Sequence, residues 1–297
     1  MPDSSNKSPA IAGLGDLAPA YDAIFCDIWG VVHNGRNHFA EACQALSRFR
    51  KAGGVVVLVT NAPRPNQSVH SQLDTLGVPL GCFDDIVTSG DVTLSLIAER
   101  GNDPIYHIGP SRDLVLFEIL KSNFGCFPPL SSLDSASYVV CTGLFDDRAE
   151  TPADYDGTLE RMLVRRLDMI SANPDMVVHV GDHEVYCSGA IAARYEEMGG
   201  HAIQAGKPFA PIYEQARRLA EAHAHKPIIP ERILAIGDGL LTDVKGAQAQ
   251  GLDCVFITSG VHRNELHANG ATDAVALDRL LEAAKVRPMA ALPSLVW

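Results

Sequence analysis

The sequence lacks the features that would place it in a membrane, on nucleic acid or in an oxidising compartment. Its longest apolar stretches, such as residues 53–60, are far too short to span a bilayer. Basic residues are in the minority, 24 against 36 acidic ones, and the net charge of −12 opposes nucleic acid or an anionic membrane as the main partner. The seven cysteines include no CxxC pair, which argues against a disulfide framework and against a zinc site.

We do not expect the first residues of the sequence to act as a secretory signal. Residues 1–23 contain one lysine and lack an apolar core of about 7–15 residues, so they do not resemble a secretory signal. Together with the scattered cysteines, this predicts a cytoplasmic protein. A chain of 297 residues, of which 46% are hydrophobic, is long enough to form two domains. Nothing in the sequence indicates an oligomeric state.

Short β-branched runs alternate with longer amphipathic segments in the two outer parts of the chain. The strand-like runs cover residues 23–32, 54–62, 84–90, 202–206, 231–239 and 254–260. The helix-like segments cover residues 39–53, 91–101, 211–224, 242–251 and 274–285. Buried strands interleaved with helices are typical of an α/β fold with a doubly wound, Rossmann-like parallel sheet. In such a sheet, functional residues lie at the carboxyl ends of the strands.

The middle of the chain has a different pattern. Its strand-like runs, among them "SYVVCTG" and "DMISANP", do not end in the combination of an acid and a glycine that the outer parts show. We therefore expect residues 103–204 to form an inserted α/β domain. Residues 1–102 and 205–297 would together form the core.

Polar residues follow four of the strand-like runs. They are Asp27, Thr60, Asn61, Lys207, Asp238 and Asp243. Because strand ends of a parallel sheet meet at one edge, we expect these side chains to lie close together, although they are far apart in sequence. Two carboxylates from different strands, with water, supply the oxygen ligands that Mg²⁺ prefers. A hydroxyl, backbone N–H groups and a lysine would hold phosphate oxygens, so the set favours phosphoryl transfer.

Four motifs carry a resemblance to a known family. In order, "DIWGV", "LVTNA", "GKP" and "GDGLLTD" resemble the motifs of the haloacid-dehalogenase-like hydrolases, class IIA, whose members are sugar-phosphatase-like and nitrophenylphosphatase-like. The resemblance covers about residues 21–285. It implies a cap domain between the second and third motifs, where the middle segment lies. It also implies a Mg²⁺-dependent phosphatase of a small phosphorylated metabolite, such as a sugar phosphate.

The resemblance also implies a role for each motif residue. Asp27 would attack phosphorus and form an aspartyl-phosphate, and the metal would be held by Asp27 and Asp238 with support from Asp243. The phosphoryl group would be gripped by Thr60, Asn61 and Lys207. Taken without the resemblance, the acids could instead be helix caps and the lysine an ordinary surface residue.

Trp29 departs from the family pattern. Most members have a second aspartate at this position, which protonates the leaving group and then activates water. An indole N–H donates a hydrogen bond but has no acid or base chemistry, whereas the backbone carbonyl of Trp29 is still expected to bind the metal. Three consequences follow: a leaving group that needs no proton, a substitute donor such as His33, or a protein that binds a phosphorylated metabolite with little or no turnover.

Two further observations concern specificity and an alternative function. In "SANPD", the resemblance places Asn173 and Asp175 near the ligand, where they would select the substrate. A turn capped by the asparagine side chain is the competing interpretation. A dinucleotide-binding oxidoreductase is weakly supported, because no GxGxxG follows a strand with an acid about twenty residues further on.

Overall fold

The computed structural model describes residues 11–180, 183–268 and 271–297. The strands are β1 (Ala23–Cys26), β2 (Val55–Thr60), β3 (Asp85–Thr88), β4 (Ile105–Ile108), β5 (Tyr138–Cys141), β6 (Met169–Ser171), β7 (Val177–Val180), β8 (His183–Tyr186), β9 (Ala202–Gln204), β10 (Ile233–Gly237), β11 (Asp253–Ile257), β12 (His267–Ala268), β13 (Ala271–Thr272) and β14 (Ala290–Leu292). The helices are α1 (Ala40–Lys51), α2 (Asn66–Thr75), α3 (Ser89–Glu99), α4 (Val115–Phe124), α5 (Asp156–Arg165), α6 (Ser188–Glu197), α7 (Ala210–Ala224), α8 (Lys245–Ala249), α9 (Arg263–Leu266) and α10 (Ala274–Ala284). Within the described residues, no helix is both long and apolar enough to cross a membrane.

Residue contacts divide the chain into two compact units. The first unit contains residues 1–60, 69–87 and 213–297, as far as they are described. The second unit contains residues 61–68 and 88–212. The predicted boundaries of an inserted domain, at residues 103 and 204, remain a prediction.

The first unit is built on a six-stranded sheet with the order β14-β11-β10-β1-β2-β3. β1 pairs in parallel with β10 on one side and with β2 on the other, and β11 pairs in parallel with β10 and β14. All residues of β1 and β10 are buried, as expected for central parallel strands. One apolar cluster joins Ala235 of β10 and Phe256 of β11 to the partly buried face of α10. The predicted α/β fold with a parallel sheet is confirmed.

β1 is shorter than the strand predicted over residues 23–32. It ends at Cys26, because the chain then folds into a tight turn. The N–H groups of Val32 and His33 both donate to the carbonyl of Ile28, and the N–H of Gly30 donates to the carbonyl of His33. Gly30 has φ of +80°, which a residue with a side chain rarely adopts. The apolar run therefore continues past the strand into a turn in which Val31 and Val32 are buried and Trp29 is exposed.

The second unit contains a parallel four-stranded sheet with the order β4-β5-β6-β9. Alternating residues of its strands face opposite sides. Val139, Cys141 and Met169 pack in one cluster with residues of α5 and α6. Tyr138 and Val140 pack in another cluster with residues of α3 and α4. The sheet is thus covered by helices on both faces, which explains why its strands read as continuous apolar runs.

The position of β9 corrects one prediction. The strand before Lys207 was expected in the same sheet as the strand before Asp27, but β9 pairs with β6 in the second unit, with Ile203 opposite Ile170. A run of only three residues, two of them partly buried, carries no information on which of two sheets it joins. Its partner is instead set by β6, more than thirty residues earlier in the chain.

Candidate active site

Three carboxylates meet at the carboxyl edge of the first unit's sheet. Asp27 follows β1, Asp238 follows β10, and Asp243 lies in a π-helical turn, Leu240–Val244, that leads into α8. One carboxylate oxygen of each residue lies within 4.8 Å of the others. All three residues are at least nine-tenths buried. The parallel pairing of β1 with β10 thus brings together carboxylates that are more than two hundred residues apart in sequence.

Backbone groups approach Asp238 closely. The N–H of Val261 donates a hydrogen bond to Asp238 Oδ2, with a donor–acceptor distance of 2.7 Å. A Cβ atom added to Gly30 would lie 1.9 Å from the same oxygen, and a Cβ added to Gly260 would lie 2.0 Å from it. Both positions therefore need glycine, since any side chain would displace the carboxylate.

Asp243 is held in the same way. Its Oδ2 accepts a hydrogen bond from the N–H of Gly239 at 3.0 Å. A Cβ atom added to Gly237 would lie 2.1 Å from its carboxyl carbon. The motif "GDGLLTD" therefore has two structural requirements: glycines that allow close approach, and acids that are aimed at one point.

The three acids fit a divalent cation. Buried carboxylates at this separation repel one another, and burying charges without compensation is costly. Mg²⁺ and Ca²⁺ are hard cations that prefer oxygen ligands of this kind, whereas zinc prefers nitrogen and sulfur. Among the residues that the structure describes, no other cluster of three histidine, cysteine or acidic side chains is arranged in this way.

Trp29 is exposed at the turn that follows Asp27. Of its surface, 58% is accessible to solvent. The indole ring lies over Gly35, where an added Cβ would be 2.4 Å from Trp29 Cη2, and it contacts the ring of His33 edge-on, with 5.4 Å between the centroids. The indole is therefore held in place although it is largely exposed.

His33 is buried beneath this indole, with 3% of its surface accessible. Its Nδ1 accepts a hydrogen bond from the N–H of Gly35 at 3.0 Å, so the ring carries its proton on Nε2. Burial lowers the pKa of His33, which disfavours the charged imidazolium. A neutral imidazole is a weak general acid, so burial weighs against a role of His33 as proton donor, and that role stays a prediction.

The other predicted phosphate-binding residues lie in both units. Thr60 ends β2 in the first unit and is partly buried. Lys207 belongs to the second unit and has only 4% of its surface accessible. Asn61, also in the second unit, hydrogen-bonds to the backbone of Lys207 through its side-chain amide. The sequence indicates these three residue types but not this contact.

In the loop after β6, Asn173 forms the turn that was the competing interpretation. Its Oδ1 accepts a hydrogen bond from the N–H of Asp175 at 3.0 Å. The Asp175 carboxylate in turn accepts a hydrogen bond from Asn61 Nδ2 at 2.9 Å. Ser188, at the start of α6, binds the backbone N–H and carbonyl of Asn173. Sequence analysis missed Ser188, and only its place at the beginning of a helix-like segment could have suggested it.

Comparison with known proteins identifies the family. The family model "Haloacid dehalogenase-like hydrolase" matches residues 24–120, and a related hydrolase-like model of the same group matches residues 204–283. A crystal structure of a hydrolase of the haloacid dehalogenase-like family from Brucella suis 1330 is 46% identical and has a TM-score of 0.78. The match covers 97% of this chain and 100% of that one. The chain belongs to the haloacid dehalogenase-like hydrolases.

More distant relatives have more specific names. The 5'-nucleotidase YutF of Bacillus subtilis is 23% identical over 82% of this chain and 90% of its own. The glycerol phosphate phosphatase of Mycobacterium tuberculosis, crystallised in complex with calcium, is 24% identical with a TM-score of 0.62, covering 82% of this chain and 68% of its own. The family models and the Brucella suis structure confirm the family and the enzyme class that the sequence predicts, a hydrolase.

Proposed function

We propose that this hydrolase is a phosphatase that removes the phosphoryl group from a small phosphorylated metabolite, with Mg²⁺ held by Asp27, Asp238 and Asp243. The observation that carries the proposal is the buried cluster of three carboxylates within 4.8 Å. The names of its relatives, a 5'-nucleotidase and a glycerol phosphate phosphatase, support phosphate esters as the substrate class. A sugar phosphate and a cytoplasmic location remain predictions within it.

In this proposal Asp27 is the nucleophile. A carboxylate oxygen of Asp27 forms a bond to phosphorus while the bond from phosphorus to the ester oxygen breaks, and the departing oxyanion takes a proton from solvent as it leaves the site. Water then attacks the phosphorus of the aspartyl-phosphate, which releases inorganic phosphate and restores the carboxylate. A divalent cation held by Asp27, Asp238 and Asp243 would neutralise charge on the phosphate oxygens.

We assign the remaining phosphate contacts to Thr60 and Lys207, because they occupy the matching positions of the second and third motifs. A hydroxyl and an ammonium are donors suited to the oxygens of a phosphoryl group in transfer. Residues 103–204 would act as the cap that excludes water during attack. Asn173 and Asp175 were predicted to select the substrate. Both residues also hydrogen-bond to neighbouring protein groups, and selection of the substrate by them remains a prediction.

A second candidate function is binding of a phosphorylated metabolite with little turnover. Trp29 favours it, because the position of the usual acid and base carries an indole that can be neither. An enzyme with this residue would work best on esters with good leaving groups, whose departing oxygen needs no proton.

The test is phosphate release from a panel of aryl phosphates, sugar phosphates and nucleoside monophosphates, with and without Mg²⁺. The proposal predicts release by the wild type that depends on the cation and falls to background in Asp27→Asn. Asp278→Asn, the same change at an exposed position of α10, is the matched control and should keep full activity. Full activity of Asp27→Asn would contradict the mechanism. Thermal stabilisation by the phosphate esters without release would favour the binding protein instead.

A further inference from the structure

The side-chain amide of Asn61 is fully engaged by protein groups. Asn61 Oδ1 accepts a hydrogen bond from the backbone N–H of Lys207 at 2.7 Å. Asn61 Nδ2 donates to the backbone carbonyl of Lys207 at 3.0 Å and to Asp175 Oδ1 at 2.9 Å. An amide nitrogen has two N–H donors, and both have partners here. Asn61 therefore has no N–H left to donate to a phosphate oxygen.

The pair of bonds to Lys207 has the pattern of a strand pairing. Lys207 offers both its backbone N–H and its carbonyl, and the Asn61 amide accepts from the first through Oδ1 and donates to the second through Nδ2. Among side chains, only asparagine and glutamine carry a donor and an acceptor in this arrangement. An aspartate at position 61 would keep the acceptor and lose both donors. The chemistry therefore requires the amide of asparagine, and not merely a polar side chain.

The surroundings keep Asn61 in this position. Ser89, the first residue of α3, donates from its hydroxyl to the backbone carbonyl of Asn61 at 2.8 Å. A Cβ atom added to Gly206 would lie 2.4 Å from Asn61 Oδ1 and 2.7 Å from Pro174 Cδ. Glycine at position 206 thus allows the backbone before Lys207 to approach both the amide and the loop after β6.

The third partner, Asp175, is itself fixed. The N–H of Asp175 donates to Asn173 Oδ1, and the backbone of Asn173 is bound on both sides by the hydroxyl of Ser188. Asn173 and Ser188 are buried. A continuous set of hydrogen bonds therefore runs from α6 through the loop after β6 to Asn61, and from Asn61 to the backbone of Lys207.

We propose that Asn61 is a positioning residue that fixes the backbone of Lys207, and that Asp175 acts through it by orienting the amide. This inference rests on the proposed function, in which Lys207 holds the phosphoryl group. Asn61 belongs to the second motif and Lys207 to the third, so this side chain links the two motifs within the second unit. This role differs from the two that the sequence predicts, which are a direct phosphate contact for Asn61 and substrate selection for Asp175.

The test is an exchange of the amide and the carboxylate. In Asn61→Asp, two carboxylates face each other, both donors are lost, and misplacement of Lys207 should lower kcat/KM about 10²-fold. Asp175→Asn alone keeps an oxygen that accepts from Asn61, so its kcat/KM should fall less than that of Asn61→Asp. The double variant N61D/D175N restores a donor opposite an acceptor, and we expect it to recover part of the lost kcat/KM.

Two readouts separate positioning from other roles. Inhibition by inorganic phosphate should weaken in N61D and recover in the double variant, whereas the stabilisation by Mg²⁺ should stay at the wild-type value in both. A direct contact of Asn61 with phosphate predicts instead that D175N cannot rescue N61D. That result, or a N61D variant with wild-type kcat/KM, would overturn the inference.

Failure of the inference is distinguishable from failure of the proposed function. A wild type that releases phosphate, together with an inactive Asp27→Asn, upholds the function whatever the result at Asn61. A wild type that releases phosphate from none of the esters would overturn the function and the inference together.

Discussion

The carboxylate cluster should cost stability in the absence of a cation. One oxygen of each of Asp27, Asp238 and Asp243 lies within 4.8 Å of the others. At an effective dielectric constant of about 20, two unit charges at this distance repel by about 3.5 kcal/mol. Asp238→Asn removes two of the three repulsive pairs and keeps an oxygen that can accept from Val261. After relaxation and screening, we expect a gain of about 1–3 kcal/mol, or roughly 2–10 °C in the Tm of the first unit.

With cation the order should reverse. A ligand at about one hundred times its Kd stabilises the folded wild type by about 2.7 kcal/mol, and Asp238→Asn should show little of this effect. Thermal unfolding of both proteins, in chelator and in a Mg²⁺ titration, measures the difference in Tm between the variant and the wild type without and with the cation. Asp278→Asn, at an exposed site on α10, controls for the change in net charge.

Two outcomes would refute the electrostatic reasoning. In the first, Asp238→Asn is less stable than the wild type in chelator, which would mean that the hydrogen bond to the charged carboxylate outweighs the repulsion. In the second, Mg²⁺ stabilises Asp238→Asn as much as the wild type, which would place the cation elsewhere.

Two further predictions concern Trp29 and the pH dependence of stability. Trp29→Asp should raise kcat on esters with poor leaving groups by about 10²-fold or more relative to Trp29→Asn, a matched variant without acid chemistry, and equal rates for the two would exclude a protonation role for the position. Burial lowers the pKa of His107 to about 4, so between about pH 4 and 6.5 this histidine is protonated in the unfolded chain and neutral in the folded chain. The contribution of His107 to stability is complete above about pH 6.5 and is lost as the pH falls toward 4. In His107→Gln, the free energy of unfolding measured with urea should therefore depend less on pH over this range. An unchanged profile would contradict this.

The strand ends of the first unit could be predicted because their signal is local. Asp27 and Asp238 each follow a buried apolar run, and parallel strands present their carboxyl ends at one edge. The early end of β1 could not be predicted in this way. The apolar run continues through Val31 and Val32, and only the turn at Gly30 shows that these residues are buried outside the strand.

The role of Asn61 depends on non-local contacts, which the sequence does not encode in any readable pattern. Its partner Lys207 is 146 residues away, and the contact depends on Gly206 and on the sheet that β9 joins. The residue type indicated a polar function, and the hydrogen-bond partners decided which one. His33 is a similar case. Its place in the turn suggests a proton donor, but its burial lowers its pKa and so disfavours the protonated form that would donate.

The central claim is that Asp27 itself carries the phosphoryl group. Rapid quenching during turnover, reduction with borohydride and peptide mass analysis test it most directly, because reduction converts an aspartyl-phosphate to homoserine. We predict homoserine at position 27 in the presence of substrate and Mg²⁺, and its absence when either is left out. Homoserine at another acidic residue, or none at position 27 while the enzyme is releasing phosphate, would contradict the account.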